Sequence, residues 1–179
     1  MAADYPQGEP GTQQSVPTSI RLALYQPDIP QNTGTILRLA ACLGVGVDVI
    51  APTGFDMTDR ALRRAGLDYL AHVEITRHSG FAAFDTARRT RGSRLLLLSS
   101  HASRSLYETR FCEGDVLLLG RESSGAPDAV HAAADERITI PMRPGLRSLN
   151  IAVAAAMALG EALRQTSAFV APTDEAAMP

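Results

Sequence analysis

Residues 115–125 read Asp-Val-Leu-Leu-Leu-Gly-Arg-Glu-Ser-Ser-Gly, an unbroken apolar run that passes directly into glycine and short polar residues. A run that is apolar at every position, without alternation, is typical of a strand buried on both faces of a parallel sheet. Residues 94–99, Arg-Leu-Leu-Leu-Leu-Ser, have the same character. These two stretches predict the centre of a parallel sheet, with a polar loop at the carboxyl end of the second strand.

Outward from this centre, strand-like and helix-like segments alternate along the chain. Such alternation favours an α/β fold: a mostly parallel sheet of about six strands with helices on both faces. Asn32 is the expected N-cap of the first helix, because asparagine favours that position. The predicted strands are 20–25, 47–51, 71–76, 94–99, 115–119 and 137–140, and the predicted helices are 33–43, 58–65, 81–89, 126–134 and 149–164.

The chain length of 179 residues suits one domain with a sizeable core. Residues 1–19 are polar, contain proline, glycine and glutamine, and show no apolar period, which predicts a disordered N-terminal tail. The domain is predicted over residues 20–166, followed by a flexible tail over 167–179.

Charge and composition limit the possible functions. The net charge is −2, which argues against nucleic-acid binding through a global positive field and leaves a local basic patch open. All 17 basic residues are arginine, so sites that need a lysine are excluded. Cys42 and Cys112 have no CxxC spacing, and the four histidines form no HExxH motif. We therefore expect a cytoplasmic protein with reduced thiols, no bound metal and no membrane span.

Three separated junctions combine glycine with short polar residues. Each lies between a strand-like run and a helix-like segment, which is where an open α/β sheet builds its ligand sites. We expect them to converge on one pocket. The junctions are Asn32-Thr33-Gly34 with Arg38, Gly120–Gly125, and Ile140-Pro141-Met142 leading to Ser148-Leu149-Asn150.

Familiar phosphate-binding and nucleophilic motifs are missing from these junctions. No G-x-G-x-x-G follows the first strand, and Gly120–Gly125 continues with Ala-Pro instead of the Lys-Ser/Thr of a phosphate loop. Arg121 stands where a nucleophile elbow at Ser123 would need glycine. A pocket without an obvious nucleophile suits a reaction whose leaving group is already activated, such as methyl transfer from a sulfonium donor.

The three junctions resemble the motifs of the SPOUT-class, trefoil-knotted RNA 2′-O-ribose methyltransferases. Residues 25–34, Tyr-Gln-Pro-Asp-Ile-Pro-Gln-Asn-Thr-Gly, with Arg38 resemble the first motif, and the other two junctions resemble the second and third. Residues 62–69, Leu-Arg-Arg-Ala-Gly-Leu-Asp-Tyr, are similar to one subgroup, the small single-domain tRNA (cytidine/uridine-34) 2′-O-methyltransferases, which modify the wobble nucleotide of leucine tRNAs. The resemblance covers residues 20–166.

The resemblance implies a C-terminal trefoil knot, S-adenosyl-L-methionine as the methyl donor, and a homodimer with its active site at the subunit interface. It implies that Arg38 acts on the ribose 2′-hydroxyl and that Asn32 bonds to the substrate or within the active site. Since guanidinium is almost never deprotonated, we expect Arg38 to bind the adjacent phosphate and stabilise the developing alkoxide. The implied donor-binding residues are Leu98, Gly120, Ile140, Ser148 and Asn150.

Further residues receive supporting roles from the same resemblance. Glu122 is expected to orient its loop, and Ser148 is a candidate cap of the last helix. Arg63 and Arg64 are expected to form part of a local RNA-facing patch that, in both subunits together, holds the anticodon stem-loop of tRNA. Alanines along the last helix fit either helix packing within one chain or packing between two subunits.

Three functions remain open at this point. The first is a wobble-position tRNA 2′-O-methyltransferase, and the second is the same chemistry on another nucleotide of tRNA or rRNA. The third is a non-catalytic module that binds the donor and RNA. The presence of Asn32, Arg38, Gly120, Ser148 and Asn150 speaks against the third.

Overall fold

The computed structural model describes residues 20–57 and 68–170, which form seven strands and four α-helices. Two 3₁₀ segments, Asp68–His72 and Leu106–Glu108, lie between them. The strands are β1 Arg21–Tyr25, β2 Gly46–Ile50, β3 Ile75–His78, β4 Leu95–Leu98, β5 Arg104–Ser105, β6 Val116–Leu119 and β7 Glu136–Thr139. The helices are α1 Pro30–Leu43, α2 Phe81–Thr90, α3 Asp128–Ala133 and α4 Ile151–Thr166.

All seven strands belong to one sheet, in the order β3-β2-β1-β6-β4-β7-β5, and every paired neighbour is parallel. The predicted parallel α/β sheet is confirmed, but it has one strand more than the six expected. The additional strand is β5, whose two residues, Arg104 and Ser105, are too few and too polar to produce a pattern. The third strand begins at Ile75 instead of residue 71, because residues 68–72 form a 3₁₀ turn.

Helices cover both faces of the sheet. Leu22 and Leu24 of β1 belong to a core cluster shared with α1 and α4, whereas Ala23 and Tyr25 belong to a second cluster with Phe84 of α2. Since successive residues of a strand point to opposite faces, this division places the two helical layers on opposite sides. Leu95–Leu97 and the whole of β6 are buried, as the unbroken apolar runs predicted.

The starts of two helices differ from the expectations. The prediction that Asn32 caps α1 is wrong: the helix begins at Pro30, whose fixed φ suits the first helical turn and which has no N–H to satisfy. Ile29 is the capping residue and makes no side-chain hydrogen bond there. Asn150, and not Ser148, caps α4 through its side chain.

Some predicted features lie outside the described residues. They are helix 58–65, Arg63 and Arg64, and most of the two tails. Residues 167–170 are described, and Ala168 packs against the larger core cluster, the one that β1 shares with α1 and α4. Within the described ranges, no helix is both long and apolar enough to cross a bilayer.

The sheet order places a crevice between β1 and β6. The chain leaves β1 for β2 on one side, whereas it leaves β6 for β7 on the other side. The loops after these neighbouring strands therefore diverge, and parallel α/β sheets bind their ligands at such a switch point. The first two sequence junctions follow β1 and β6, so this topology brings them together.

Candidate functional site

A cavity of about 570 Å³ opens at the carboxyl ends of β6, β4 and β7, three neighbouring strands of the sheet. Leu119 ends β6, Leu98 ends β4 and Ile140 follows β7, and all three side chains line the cavity. Ala154 of α4 contributes to the same lining. The volume falls within the range of about 300–1,000 Å³ that is common for small-molecule sites.

The cavity collects most of the residues singled out in the sequence. All five expected donor-binding residues line it, as do Asn32 and Glu122. Arg38 does not line it. The three junctions therefore meet in space, and the arginine expected to act on the acceptor lies apart from the cavity of its own chain. The five donor-binding candidates are Leu98, Gly120, Ile140, Ser148 and Asn150.

The loop after β6 is closed on itself by backbone hydrogen bonds. Arg121 N–H donates to Gly125 O at 3.0 Å, and Gly125 N–H donates to Arg121 O at 2.8 Å. A Cβ atom on Gly120 would lie 2.7 Å from the Gly125 carbonyl carbon and 2.8 Å from Ala126 N. Glycine is required at position 120 because its own loop folds back over it, and this keeps the backbone open toward the cavity.

Asp28 fastens this loop to the loop after β1 by reciprocal hydrogen bonds. Glu122 N–H donates to Asp28 Oδ1 at 3.2 Å, and Asp28 N–H donates to Glu122 Oε2 at 3.1 Å. The Ser123 hydroxyl also donates to Asp28 Oδ2. On the other side, a Cβ on Gly54 would lie 2.9 Å from Asp28 Cα, so the Asp28 backbone is enclosed as well.

The two carboxyl groups of this pair have shifted pKa values in opposite directions. Hydrogen bonding from the Glu122 carboxyl, the Ser123 hydroxyl and the Glu122 N–H lowers the pKa of Asp28 from 3.8 to about 2. Burial, and then the hydrogen bond to Asp28, raise the pKa of Glu122. Of the two, Asp28 is therefore the group that ionises, and Glu122 is the one that retains a proton to higher pH.

A chain of side-chain hydrogen bonds extends from Glu122 to the start of α4 through residues that line the cavity. Asn32 Nδ2 donates to Glu122 Oε1 at 3.4 Å, and Asn150 Nδ2 donates to Asn32 Oδ1 at 3.0 Å. Asn150 Oδ1 accepts the N–H groups of Ala152 and Val153, at 2.9 and 3.3 Å. These N–H groups fix the Asn150 amide with its oxygen toward the helix, which in turn fixes Asn32. All three junctions are thus joined by one directional network.

Arg121 adds a charged contact between the same two loops. Its Nε lies 3.5 Å from Asp28 Oδ2, without hydrogen-bond geometry, and its Nη1 donates to Gln26 Oε1 at 3.5 Å. The arginine side chain therefore ties this loop to the end of β1.

Arg38 lies on the exposed side of α1, in contact with Tyr69. Its Cζ is 4.7 Å from the centre of the Tyr69 ring, and its Nη2 donates to the Tyr69 hydroxyl at 3.3 Å. The Arg38 side chain is therefore held by an aromatic face and a phenol oxygen.

Several lining residues had no role in the sequence interpretation. His101, His131 and Arg147 line the cavity, and Asp28 secures the cavity loop from outside. An acidic residue between two prolines, Pro27-Asp28-Ile29-Pro30, was a signal in the first junction, because proline restricts the loop and the carboxylate needs a partner. Nothing in the local sequence around His101 or His131 indicates a shared cavity. Within the described ranges, no three histidine, cysteine or acidic side chains are placed to hold a metal ion.

Comparison with known proteins gives a consistent result. The family described as SpoU rRNA Methylase matches residues 19–160. A relative from Beijerinckia indica, named tRNA (cytidine(34)-2′-O)-methyltransferase, is 58% identical over 153 residues, which are 86% of this chain and 96% of the relative.

Solved structures agree with the sequence relatives. One, described as giving structural insights into the 2-OH methylation of C/U34 on tRNA, is 49% identical with a TM-score of 0.76, covering 82% of this chain and 95% of its own. The SpoU methyltransferase AviRb from Streptomyces viridochromogenes, in complex with the cofactor AdoMet, is 28% identical with a TM-score of 0.71, covering 88% and 62%.

Proposed function

The chain belongs to the SpoU rRNA Methylase family and is an RNA 2′-O-methyltransferase, and on this premise we propose that it methylates the ribose 2′-hydroxyl of nucleotide 34 in tRNA. The observation that carries the proposal is the network from Asp28 through Glu122 and Asn32 to Asn150. It assembles all three motifs around one cavity. The proposed substrates are the leucine tRNAs, in which position 34 is the wobble nucleotide.

We propose S-adenosyl-L-methionine as the methyl donor, and the cavity fits it. The apolar side chains of Leu98 and Ile140 offer walls for an adenine ring, and Gly120 leaves backbone groups within reach of a ligand. Ser148 and Asn150 supply polar groups to the same lining. When bound, the donor supplies an electrophilic methyl carbon on a sulfonium leaving group. The task of the protein is then to align the acceptor and to assist loss of its proton.

On the acceptor side we propose that Arg38 stabilises the charge that develops on the ribose oxygen. A guanidinium offers five N–H donors and remains charged, so it suits a phosphate and an alkoxide better than it suits proton abstraction. Asn32 is proposed to hold the first motif in place, because its amide joins Glu122 and Asn150. Arg63 and Arg64 remain proposed contacts to RNA.

A homodimer completes this proposal. Leu149 and Val153 are 38% and 49% exposed at the start of α4, beside the cavity, and Leu146 is 66% exposed in the preceding segment. Ala152 and Ala155 are buried within the chain, so only the outer face of α4 is offered to a second subunit. Arg38 does not line its own cavity. A site at the subunit interface would let Arg38 of one protomer approach the donor cavity of the other.

The remaining features follow from the same proposal. The C-terminal trefoil knot is proposed for the segment that leads into α4. Two subunits are proposed to hold the anticodon stem-loop, in the cytoplasm, with tails at residues 1–19 and 167–179 outside the methyltransferase domain.

The test is to map 2′-O-methylation at single-nucleotide resolution on tRNA and rRNA from cells with and without the gene. The purified protein, with the labelled methyl donor, is then given the unmodified RNA. We expect loss of the methyl group at position 34 of leucine tRNAs and its restoration in vitro. A methyl group lost at another nucleotide would replace the proposed substrate. Donor and RNA binding without any transfer would instead support a non-catalytic module.

A further inference from the structure

Arg38 contacts Tyr69, and this contact holds the proposed acceptor-side arginine. We propose that Tyr69 is a positioning residue for methyl transfer, which fixes the Arg38 guanidinium without neutralising it. This inference rests on the proposed function, in which Arg38 meets an anionic phosphate and a developing alkoxide.

The geometry of the pair combines two interactions. The guanidinium lies over the ring, with Cζ 4.7 Å from its centre, and one N–H donates to the phenol oxygen at 3.3 Å. The ring face restricts the plane of the guanidinium, and the hydrogen bond sets its rotation. Together they remove much of the rotamer freedom that a long exposed side chain otherwise has.

The chemical nature of the partner distinguishes Arg38 from structural arginines of this chain. Arg21, Arg88 and Arg94 each form an ion pair with a carboxylate at 2.6–2.8 Å. Among the residues that the structure describes, Arg38 forms no ion pair with a carboxylate, and its aromatic partner is neutral. A neutral partner leaves the full positive charge and at least three of the five N–H donors available for an anion. That is the arrangement an electrostatic role requires.

Tyr69 is itself placed by the fold. It lies in the 3₁₀ segment Asp68–His72, which packs against α1, and its neighbour Leu70 packs against the larger core cluster. Tyr69 is 36% exposed, so solvent and ligands reach the pair. Because Tyr69 is anchored, it restricts the Arg38 side chain before the substrate binds. Substrate binding then has less side-chain entropy to overcome.

The inference predicts a specific kinetic pattern. Tyr69→Leu removes both interactions and should lower the single-turnover rate of methyl transfer about 3- to 10-fold, the range expected for an exposed cation–π pair with a hydrogen bond. Tyr69→Phe keeps the face and should lose less than about 3-fold. The dissociation constant of S-adenosyl-L-methionine should not change in either variant, because neither Tyr69 nor Arg38 lines the donor cavity.

The experiment uses full-length wild type, Tyr69→Leu, Tyr69→Phe and Tyr107→Leu. Tyr107 is a matched control, since it is a 57% exposed tyrosine in another 3₁₀ segment, and it should behave as wild type. A double-mutant cycle with Arg38→Lys tests the coupling: if Tyr69 acts through the guanidinium, Tyr69→Leu should cost much less in that background. Thermal melting checks that every variant is folded.

A readout that does not depend on activity separates this inference from the proposed function. In the arginine side-chain NMR spectrum, the Arg38 Nε–H signal should carry a ring-current shift that Tyr69→Phe keeps and Tyr69→Leu abolishes. Absence of that shift, additive losses with Arg38→Lys, or a loss confined to tRNA affinity would each overturn the positioning role. If the shift is present but wild type methylates no RNA, the proposed function fails instead.

Discussion

Asn150 has two separable tasks, and substituting it tests whether the hydrogen-bond network organises the cavity. Its side-chain oxygen caps α4, and its side-chain nitrogen reaches Asn32. Asn150→Ala removes both. An N-cap is worth about 1 kcal/mol, and a net hydrogen bond about 0.5–1.5 kcal/mol. We therefore expect the free energy of unfolding to fall by about 1.5–2.5 kcal/mol.

Asn150→Asp separates the two tasks. A carboxylate is as good an N-cap as the amide, and its charge favours the positive end of the helix, so stability should stay near that of wild type. The introduced carboxylate, however, has no proton to give to Asn32 Oδ1. Two acceptors would then face each other inside the network. Rotating the Asn32 amide would move the same conflict to Glu122, unless Glu122 is protonated.

This conflict has a calculable effect on donor binding. The Asn150–Asn32 hydrogen bond is exposed, so its loss costs about 0.5–1.5 kcal/mol. Where the bound donor requires this arrangement of the two amides, the affinity for S-adenosyl-L-methionine should fall about 2- to 13-fold. Titration calorimetry measures the affinity, and thermal melting measures stability in the same samples. Asn150→Ser is the matched control, because it keeps an acceptor for the cap and introduces no charge. Wild-type donor affinity in Asn150→Asp, at a pH where Glu122 is ionised, would refute the reasoning.

Three further predictions follow from the same site. Gly120→Ala should weaken donor binding about 5- to 100-fold in calorimetry, because the added Cβ would lie 2.7 Å from the backbone of its own loop. In the control Gly80→Ala the added Cβ meets nothing within 4 Å, and equal donor affinities for the two variants would contradict the packing argument. Arg38→Ala should reduce the rate of methyl transfer more than about 100-fold and leave the donor dissociation constant within about twofold of wild type. Arg164→Ala is the control, because the Arg164 side chain is 68% exposed, and a large loss of donor affinity in Arg38→Ala would contradict an acceptor-side role for Arg38. The raised pKa of Glu122 means that the folded state favours its protonated form, so this stabilisation is complete below 4.5 and is lost as the pH rises through the shifted value. Glu122→Gln, which stays neutral, should therefore gain in melting temperature relative to wild type as the pH is raised above 4.5, and parallel curves for the two proteins would disprove the shift.

The central part of the fold was predictable because a strand that is buried on both faces of a sheet is apolar at every position. Strands β4 and β6 are apolar at every position, and no helix of ordinary amphipathic character reads that way. By contrast, β5 has two polar residues and takes its strand conformation from pairing with β7. The start of α1 was misplaced for a related reason. Asn32 is a good capping residue by type, but Pro30 had already set the backbone for the first turn.

For the candidate site, the sequence was enough to predict which residues come together at one cavity, and less informative about their contacts. The five donor-binding candidates line one cavity, but the contact that requires glycine at position 120 is with its own loop. Asn150 proved to be both a cap and a bridge. Arg38 stays a predicted acceptor-side arginine, and its contact with Tyr69 is visible only in the tertiary structure.

By itself, the order of apolar runs and polar junctions determined that this chain forms a parallel α/β sheet and that its polar junctions lie at the carboxyl ends of the strands. The sheet follows from the apolar pattern of the strands, and the position of the junctions follows from the shared direction of parallel strands. Neither requires knowledge of distant contacts. Which junctions touch was decided only by the tertiary structure. Asp28 meets Glu122 across 94 positions and Asn32 meets Asn150 across 118, because the sheet order sets β6 beside β1 and the chain returns through α4. Hydrogen bonds are short and directional, so pairings over such separations follow from the folded geometry and not from local sequence.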